Sequence, residues 1–490
     1  MKNTWKVDEA RVQASTARLE VTVRIGIFFD GTGNNRFNTQ IAADCRAMSE
    51  VNAGKHISEC KGRHDDPSSS YSNDFSNVAL LAKLYRCQPV ASNNGTGLKV
   101  YWPVYVSGIG TTSGRRDSLL SGQSFGRGAT GVIAKVGHAF KKLGARLENF
   151  ASENPGCVIN RLELDVFGFS RGAAAARHFV NEVLKKDKGI LEATLNRRCV
   201  PLSPSFSWSN GGVKVKVIGL FDTVAAVGSI RDMGSVNDAN NDRVNLYLPP
   251  GCAEQVLHLV ARDEERRNFA LNSITPPWTR EIALPGSHSD IGGGYHPQML
   301  ERVLITRPRW SVVTGDEPWE STSAWQDTFA EMQAMQSDLW FDSADPHASL
   351  SVACEARSPK AGRNRFGGAS VMAAVCLQRQ VFGHLSRVNL RVMHALACDE
   401  GVPFLPVPIS QELMLHPELH VIAQKLIAYA RGAPYALDPR EERLLRHRYI
   451  HRSAHWSALI GNRRNLADAW FVHAPQQGGR VLHPNSAIAG

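Results

Sequence analysis

Apolar and β-branched residues first concentrate at Val21–Phe29 (VTVRIGIFF), a run that predicts a strand and ends in the turn-forming DGTGNN. Residues 38–74, rich in Ser, Asn and Asp, read as a long loop. Ser76–Tyr85 then reads as a short helix and Leu98–Val106 as a second strand, closing in SGIGTTSG. Val136, Phe140, Leu143, Leu147 and Phe150 recur at helical spacing, the stripe of a crossover helix that faces a core rather than a membrane. A strand at 161–167, a helix at 171–186 and strands at Val213–Phe221 and Arg280–Leu284 continue the alternation. Strands alternating with helices argue for an α/β fold, a mostly parallel sheet with helices on both faces. Sites in such sheets lie beyond the carboxyl ends of the strands. The Gly-rich corners at 31–33, 108–114, 168–172 and 292–294 all fall there.

The texture changes after about residue 300. Between 301 and 362, Trp310, Trp319, Trp325, Phe329, Met332, Met335, Trp340 and Phe341 stand amid polar residues, which suits an inserted subdomain or lid whose aromatics fill a small core. From Ala369 to Cys398 the positions Val371, Leu377, Val381, Leu385 and Val388 predict helix, and 410–460 adds more. The expected organisation is an α/β core over 1–300, the insertion over 301–362, and a mainly helical region over 363–490 that completes core and lobe. Arg440, Arg443, Arg446, Arg448 and Arg452 form a basic band, read first as a solvated helix face.

Composition narrows the partners. The chain has 490 residues, and its 56 basic and 46 acidic residues give a net charge of +10, which favours anionic surfaces such as phospholipid headgroups without demanding nucleic acid. No zinc-finger, helix-turn-helix or RNA-binding signature accompanies it. Nine scattered cysteines without a CxxC pair suit reduced thiols, with Cys45 and Cys60 the one pair considered for an oxidising compartment. The charged first 25 residues do not read as a secretory signal peptide, and no apolar run reaches the length of a membrane span. Asp238, Asn240 and Asp242 mimic the start of a calcium loop, but Arg243 and Pro249 stand where Gly and Glu are required, so no metal or other cofactor is expected. DGTGNN lacks the GK[ST] ending of a phosphate loop.

The candidate chemistry centres on GFSRG at 168–172, which lies between the 161–167 strand and an alanine-rich helix (RGAAAARHFVNEVL). That setting is what a GxSxG nucleophile elbow needs, with Ser170 in strained backbone angles and Gly168 and Gly172 letting strand and helix approach. A serine hydroxyl needs a base within reach, itself oriented by a third group. Asp222 ends the strand after the elbow helix and His288 follows the next assigned strand, giving the order Ser, Asp, His found in α/β-hydrolases. His178 and His296 are weaker bases by position, and His258, inside VLHLVA, reads as a core histidine. Asp290 is the main rival acid, ahead of Asp232, Asp238, Asp242 and Asp263. Arg171, directly after the serine, offers one backbone amide to an oxyanion, and Gly31 or Thr32 the second, with Asp30 holding that loop by hydrogen bonds.

Together, FFDGTGNN, GFSRGAAAAR, GLFDTVAAVG and ALPGSHSDIGGGY, with YIHRSAHW at 449–456, resemble the α/β-hydrolase family that includes the type VI secretion lipase effectors of the first phospholipase class. The resemblance implies an antibacterial toxin, a phospholipase hydrolysing acyl esters, with Ser170 as nucleophile, Asp222 as acid and His288 as base. It also implies synthesis in the cytoplasm, delivery by a secretion spike protein to the target periplasm, and a cognate immunity protein. The rival expectations are a carboxylesterase or thioesterase on soluble acyl substrates and a non-catalytic cargo module.

Overall fold

Val21, Val23, Ile25, Ile27 and Phe29 alternate along the first strand and join one buried cluster, while Phe28 points into another. This strand therefore sits between two cores, and the computed structural model shows both. It describes residues 18–51, 70–91, 98–113, 131–225, 244–314, 317–335, 340, 342, 344–357, 368–457 and 473–487. The first half runs β1 (Leu19–Phe29), α1 (Arg36–Val51), α2 (Asn77–Leu84), β2 (Pro89–Ala91), β3 (Leu98–Val106), α3 (Val132–Glu153), β4 (Cys157–Phe169), α4 (Arg171–Val183) and α5 (Ile190–Arg197). It continues through β5 (Val213–Phe221), β6 (Gln255–Ala261), β7 (Leu271–Asn272), β8 (Glu281–Leu284) and α6 (His288–Gly292).

These strands form a seven-stranded sheet in the order β2-β3-β1-β4-β5-β6-β8, parallel except for the edge strand β2. The expected α/β-hydrolase-like fold with a mostly parallel sheet is what the chain adopts. The stripe of α3 is buried as read, with Val136, Phe140, Leu143, Leu147 and Phe150 packed on one sheet face beside α4. The other face is covered by α2 and by two later helices, α8 (Leu385–Asp399) and α9 (Leu419–Ala430). Within that second core Arg24 of β1 forks onto Asp165 of β4 at 2.8 and 2.9 Å, and Tyr85 donates its hydroxyl to the same carboxylate at 2.8 Å. The charges embedded in these strands are thereby paired and hydrogen-bonded.

Two segments differ from their sequence reading. The polar stretch expected to be a loop from residue 38 instead begins inside α1, which starts at Arg36. Its buried polar side chains are satisfied individually: Asn38 donates to Ser70 Oγ at 2.9 Å and to the Thr112 carbonyl at 3.3 Å, beside fully buried Ala42. At Asn38 polarity marks hydrogen-bonded packing, while Gln40 and Asp44 of the same helix face solvent. The helix expected from Ala369 is β12 (Gly368–Val381) up to its turn, and only then α8. β12 is flanked by β11 (Ser349–Arg357) on one edge and by β9 (Met299–Leu304) and β10 (Arg309–Thr314) on the other. A central strand covered on both sides is a continuous apolar run, which periodicity does not separate from a buried helix.

This antiparallel sheet, with α7 (Ser323–Ala334) against it, occupies 299–381. Its large apolar side chains are divided: Met332 is buried and Trp340 packs on the second core, whereas Trp310 is 54 % and Val312 70 % exposed. The remaining elements are α10 (Pro439–Arg448) and β13 (Leu482–His483), which pairs with β7. Cys60, Phe341, Asp232, Asp238 and Asp242 lie outside the described residues, so the Cys45–Cys60 pairing and the calcium-like segment are outside them too. Among the described residues no helix is long and apolar enough to cross a membrane.

Candidate active site

At the tip of β4 the backbone turns into α4 through Ser170, whose φ of 58° and ψ of −128° leave the regions ordinary residues occupy. The strain is held by packing. Ser170 donates its N–H to the Phe221 carbonyl at 3.0 Å, and Ala173–Ala176 are fully buried, so α4 lies close against the sheet. A Cβ on Gly172 would stand 2.3 Å from the Asp30 carbonyl oxygen, and one on Gly168 would stand 2.5 Å from the Gly172 oxygen. Gly172→Ala is therefore expected to lose about 3 kcal/mol of stability by backbone overpacking, measured by urea unfolding.

Asp222 follows β5 directly and is also held at positive φ, 42°. Its carboxylate is fully buried and fully used. Oδ1 accepts the Ala261 N–H at 2.9 Å and Arg480 Nη1 at 2.7 Å; Oδ2 accepts Arg480 Nη2 at 2.8 Å and faces His288 Nδ1 at 2.5 Å. Burial alone would raise this carboxyl, but the Arg480 charge and the His288 bond outweigh it and hold Asp222 well below the usual carboxylate range.

His288 opens α6, its N–H reaching Glu264 Oε2 at 3.2 Å. The imidazole is tilted against Phe169, the residue before Ser170, with centroids 4.7 Å apart, and meets Phe269 edge-on at 4.8 Å. It thus stands beside the elbow with Nδ1 directed at Asp222. Burial lowers its pKa below the ordinary 6.5, with the Asp222 hydrogen bond opposing. Glu264 is set by Arg266, which overcomes burial and brings the carboxyl to about 2.

The rival residues are engaged elsewhere. Asp290 accepts the N–H and Oγ of Ser287, both at 2.9 Å, as the capping box of α6, and pairs with His451 Nδ1 at 2.7 Å. Asp263 accepts the Gly286 N–H at 2.7 Å. His258 is a buried core histidine: Nε2 accepts the Thr223 N–H at 3.0 Å and Nδ1 meets Glu281 at 2.9 Å. His178 accepts from the Asn245 amide.

Around DGTG, Asp30 accepts hydroxyl bonds from Ser76 and Tyr105, both at 2.5 Å, and the Gly31 N–H at 2.8 Å. The Gly31 amide is thereby committed to its own loop and is a poor oxyanion donor. Thr32 Oγ1 accepts Arg171 Nε at 2.7 Å, tying that loop to the first residue of α4.

Arg480 was missed by sequence reading. It lies in QQGGRV, which carries no recognisable motif. A buried aspartate does call for a countercharge, but 56 basic residues give no means of choosing it.

A parallel sheet with a serine at a strained strand-to-helix corner and an Asp–His pair over the same edge defines an α/β-hydrolase-like protein. Residues 203–312 match the family model described as the catalytic domain of Tle1-like phospholipase effectors of the type VI secretion system. That match contains Asp222 and His288. A solved structure of the Tle1 effector bound to the VgrG spike of that system shares 28 % identity over 98 % of both chains, with a TM-score of 0.70. A crystal structure of an uncharacterized protein from Pseudomonas aeruginosa shares 19 % identity over 95 % of this chain and 57 % of the other, with a TM-score of 0.36. No curated protein matches the sequence significantly. Over residues 203–312 the chain is similar to the catalytic domain of Tle1-like phospholipase effectors, and over nearly its whole length it is similar to the Tle1 structure.

Proposed function

We propose that this protein is a serine phospholipase of the A type. Ser170 Oγ attacks the acyl ester carbonyl of a phospholipid while His288 Nε2 takes its proton. Asp222 holds the imidazole through Nδ1 and stabilises the imidazolium. Collapse of the tetrahedral intermediate breaks the ester C–O bond, and His288 returns the proton to the departing lysophospholipid alkoxide. Water, activated by the same imidazole, then releases the fatty acid from Ser170. The Arg171 amide and, with Gly31 committed to Asp30, the Thr32 amide are the donors assigned to the oxyanion.

The observation that carries the reading is the 2.5 Å Asp222–His288 contact beside the elbow, with the imidazole packed on Phe169. The Tle1 neighbour, itself bound to a VgrG spike, supports delivery of this chain on a spike protein of that kind. Action in the target periplasm and a cognate immunity protein belong to the same proposal.

The test is incubation with mixed-chain phospholipid vesicles, followed by mass spectrometry of products and of the protein after a fluorophosphonate. Fatty acid with lysophospholipid, and an adduct on the Ser170 peptide, are expected. Hydrolysis of soluble short-chain esters or thioesters alone would replace the lipase with a soluble-substrate hydrolase, and no Ser170 adduct would remove the mechanism. Because the lowered His288 pKa leaves the base neutral further into acid, kcat/KM should fall only below pH 6.5. An acid limb above that value would contradict the role assigned to His288.

A further inference from the structure

Asp222 does not reach the imidazole as an isolated carboxylate. Both its oxygens are gripped by the Arg480 guanidinium, at 2.7 and 2.8 Å, in a two-point fork. The third arm of that guanidinium, Nε, donates to the Phe269 carbonyl at 2.7 Å, and the ring of Phe269 is the one that packs edge-on against His288. One side chain thus ties together the acid and a wall of the base's pocket.

The backbone carrying Arg480 is itself fixed. β13 pairs with β7, placing Leu482 opposite Leu271, and Leu271 donates to the Val481 carbonyl at 2.8 Å while Ser273 donates to that of His483 at 2.9 Å. Further along, Asn485 Oδ1 accepts from Arg177 at 3.0 Å and from the Leu248 amide at 2.9 Å. The segment 480–485 is a strap closed over the acid's side of the site.

We infer that Arg480 is a positioning residue of the hydrolytic site, locking the Asp222 carboxylate toward His288 and balancing its charge. The inference rests on the Ser170, His288 and Asp222 assignment. A carboxylate with free rotation about its Cα–Cβ–Cγ bonds can leave the imidazole; one forked by a guanidinium at both oxygens can offer only Oδ2 to Nδ1. The same fork places a positive charge beside the negative one, so His288 faces a nearly neutral pair instead of a bare anion. An uncompensated carboxylate at this distance would favour the imidazolium and draw the base toward protonation.

Other charges facing His288 come from the segment after β6: Glu264, which favours the imidazolium, and Arg266, which opposes it. Beyond them His455 and His473 stand near Arg266, each lowered to about 4 by burial, and are neutral near pH 7. Asp290 is occupied by Ser287 and His451. Arg480 is the cation bonded directly to the acid.

The experiment is the pH dependence of fluorophosphonate labelling and of vesicle hydrolysis in wild type, R480M and R480K. R480M should lose about 10- to 100-fold in rate and shift its acid limb upward by about one pH unit. R480K, with a point charge and no planar fork, should keep the limb near the wild-type pH while losing rate. A merely structural strap would reduce the labelled fraction without moving the limb. Labelled wild type with an R480M limb at the same pH overturns the positioning role alone. Wild type without Ser170-dependent labelling overturns the hydrolytic assignment and this inference with it. Should R480M fail to fold, R480K decides: wild-type rate in that variant sinks the role of the fork.

Discussion

Ser170→Ala is expected to abolish fatty acid release from phospholipid vesicles, lowering turnover by roughly 10⁴-fold or more, with little change in folding. The removed oxygen is the proposed attacking atom, and nothing else at the elbow replaces it. Ser170 makes no side-chain cap to α4, so the helix does not depend on the hydroxyl. Its unusual φ is imposed by the packed Gly168 and Gly172 backbones, and alanine must adopt the same angles. The substitution should therefore leave the urea midpoint within about 1 kcal/mol of wild type. Residual hydrolysis by the variant would come from the oxyanion donors and substrate binding alone. Equal hydrolysis by wild type and variant, measured as free fatty acid by mass spectrometry, would return the protein to the cargo reading.

The elbow was legible because three signals agree at one place: a strand ending in glycine, the serine, and a helix with no breaker and a run of alanines. Each has a steric reason, and the alanines prove to be the residues that let α4 approach the sheet. The meeting of Asp222 and His288 follows from topology, since parallel strands deliver their ends to one edge. The strand β6, which lies between β5 and β8 and carries no clear alternation, does not move that edge, and its His258 is buried in the core.

What sequence hid has a common physical origin in long-range partners. Asp30 is held by Ser76 and Tyr105, 46 and 75 residues on, in the position from which its carboxylate takes up the Gly31 amide. The fork on Asp222 spans 258 residues of chain. The start of α1 resembles a loop because Asn38, buried in it, is satisfied by Ser70 and Thr112, far along the sequence. β12 resembles a helix in sequence because its central residues 373–377 are all buried, which erases there the alternation that betrays a half-exposed strand.

The late motif YIHRSAHW, which no local pattern explained, acts at a distance too. His451 donates its N–H to Asp290 at 3.0 Å, and Ser453 donates to Glu264 at 3.1 Å, the carboxylate that also accepts the His288 N–H. The motif braces the turn that carries His288 from behind.

That bracing separates the two acids weighed for the site. Asp222→Asn is expected to lower turnover by roughly 10⁴-fold, because an amide that presents its NH₂ to Nδ1 favours the wrong imidazole tautomer. It should also destabilise the fold by about 3–5 kcal/mol, since Arg480 is left buried against a neutral group. The sign of the pH dependence follows from the depressed Asp222 pKa. Its contribution to stability is complete above the unfolded value of about 3.9 and is lost only as pH falls through the lower folded value. The stability gap between wild type and variant should therefore be fully open at pH 5 and above. Asp290→Asn, by contrast, weakens the capping box of α6 and the His451 pair without touching Nδ1 of His288. It should cost about 1–2 kcal/mol and reduce turnover less than about tenfold. Vesicle hydrolysis and urea unfolding of both variants check the pair. A larger loss of turnover in the Asp290 variant would reverse the assignment of the acid.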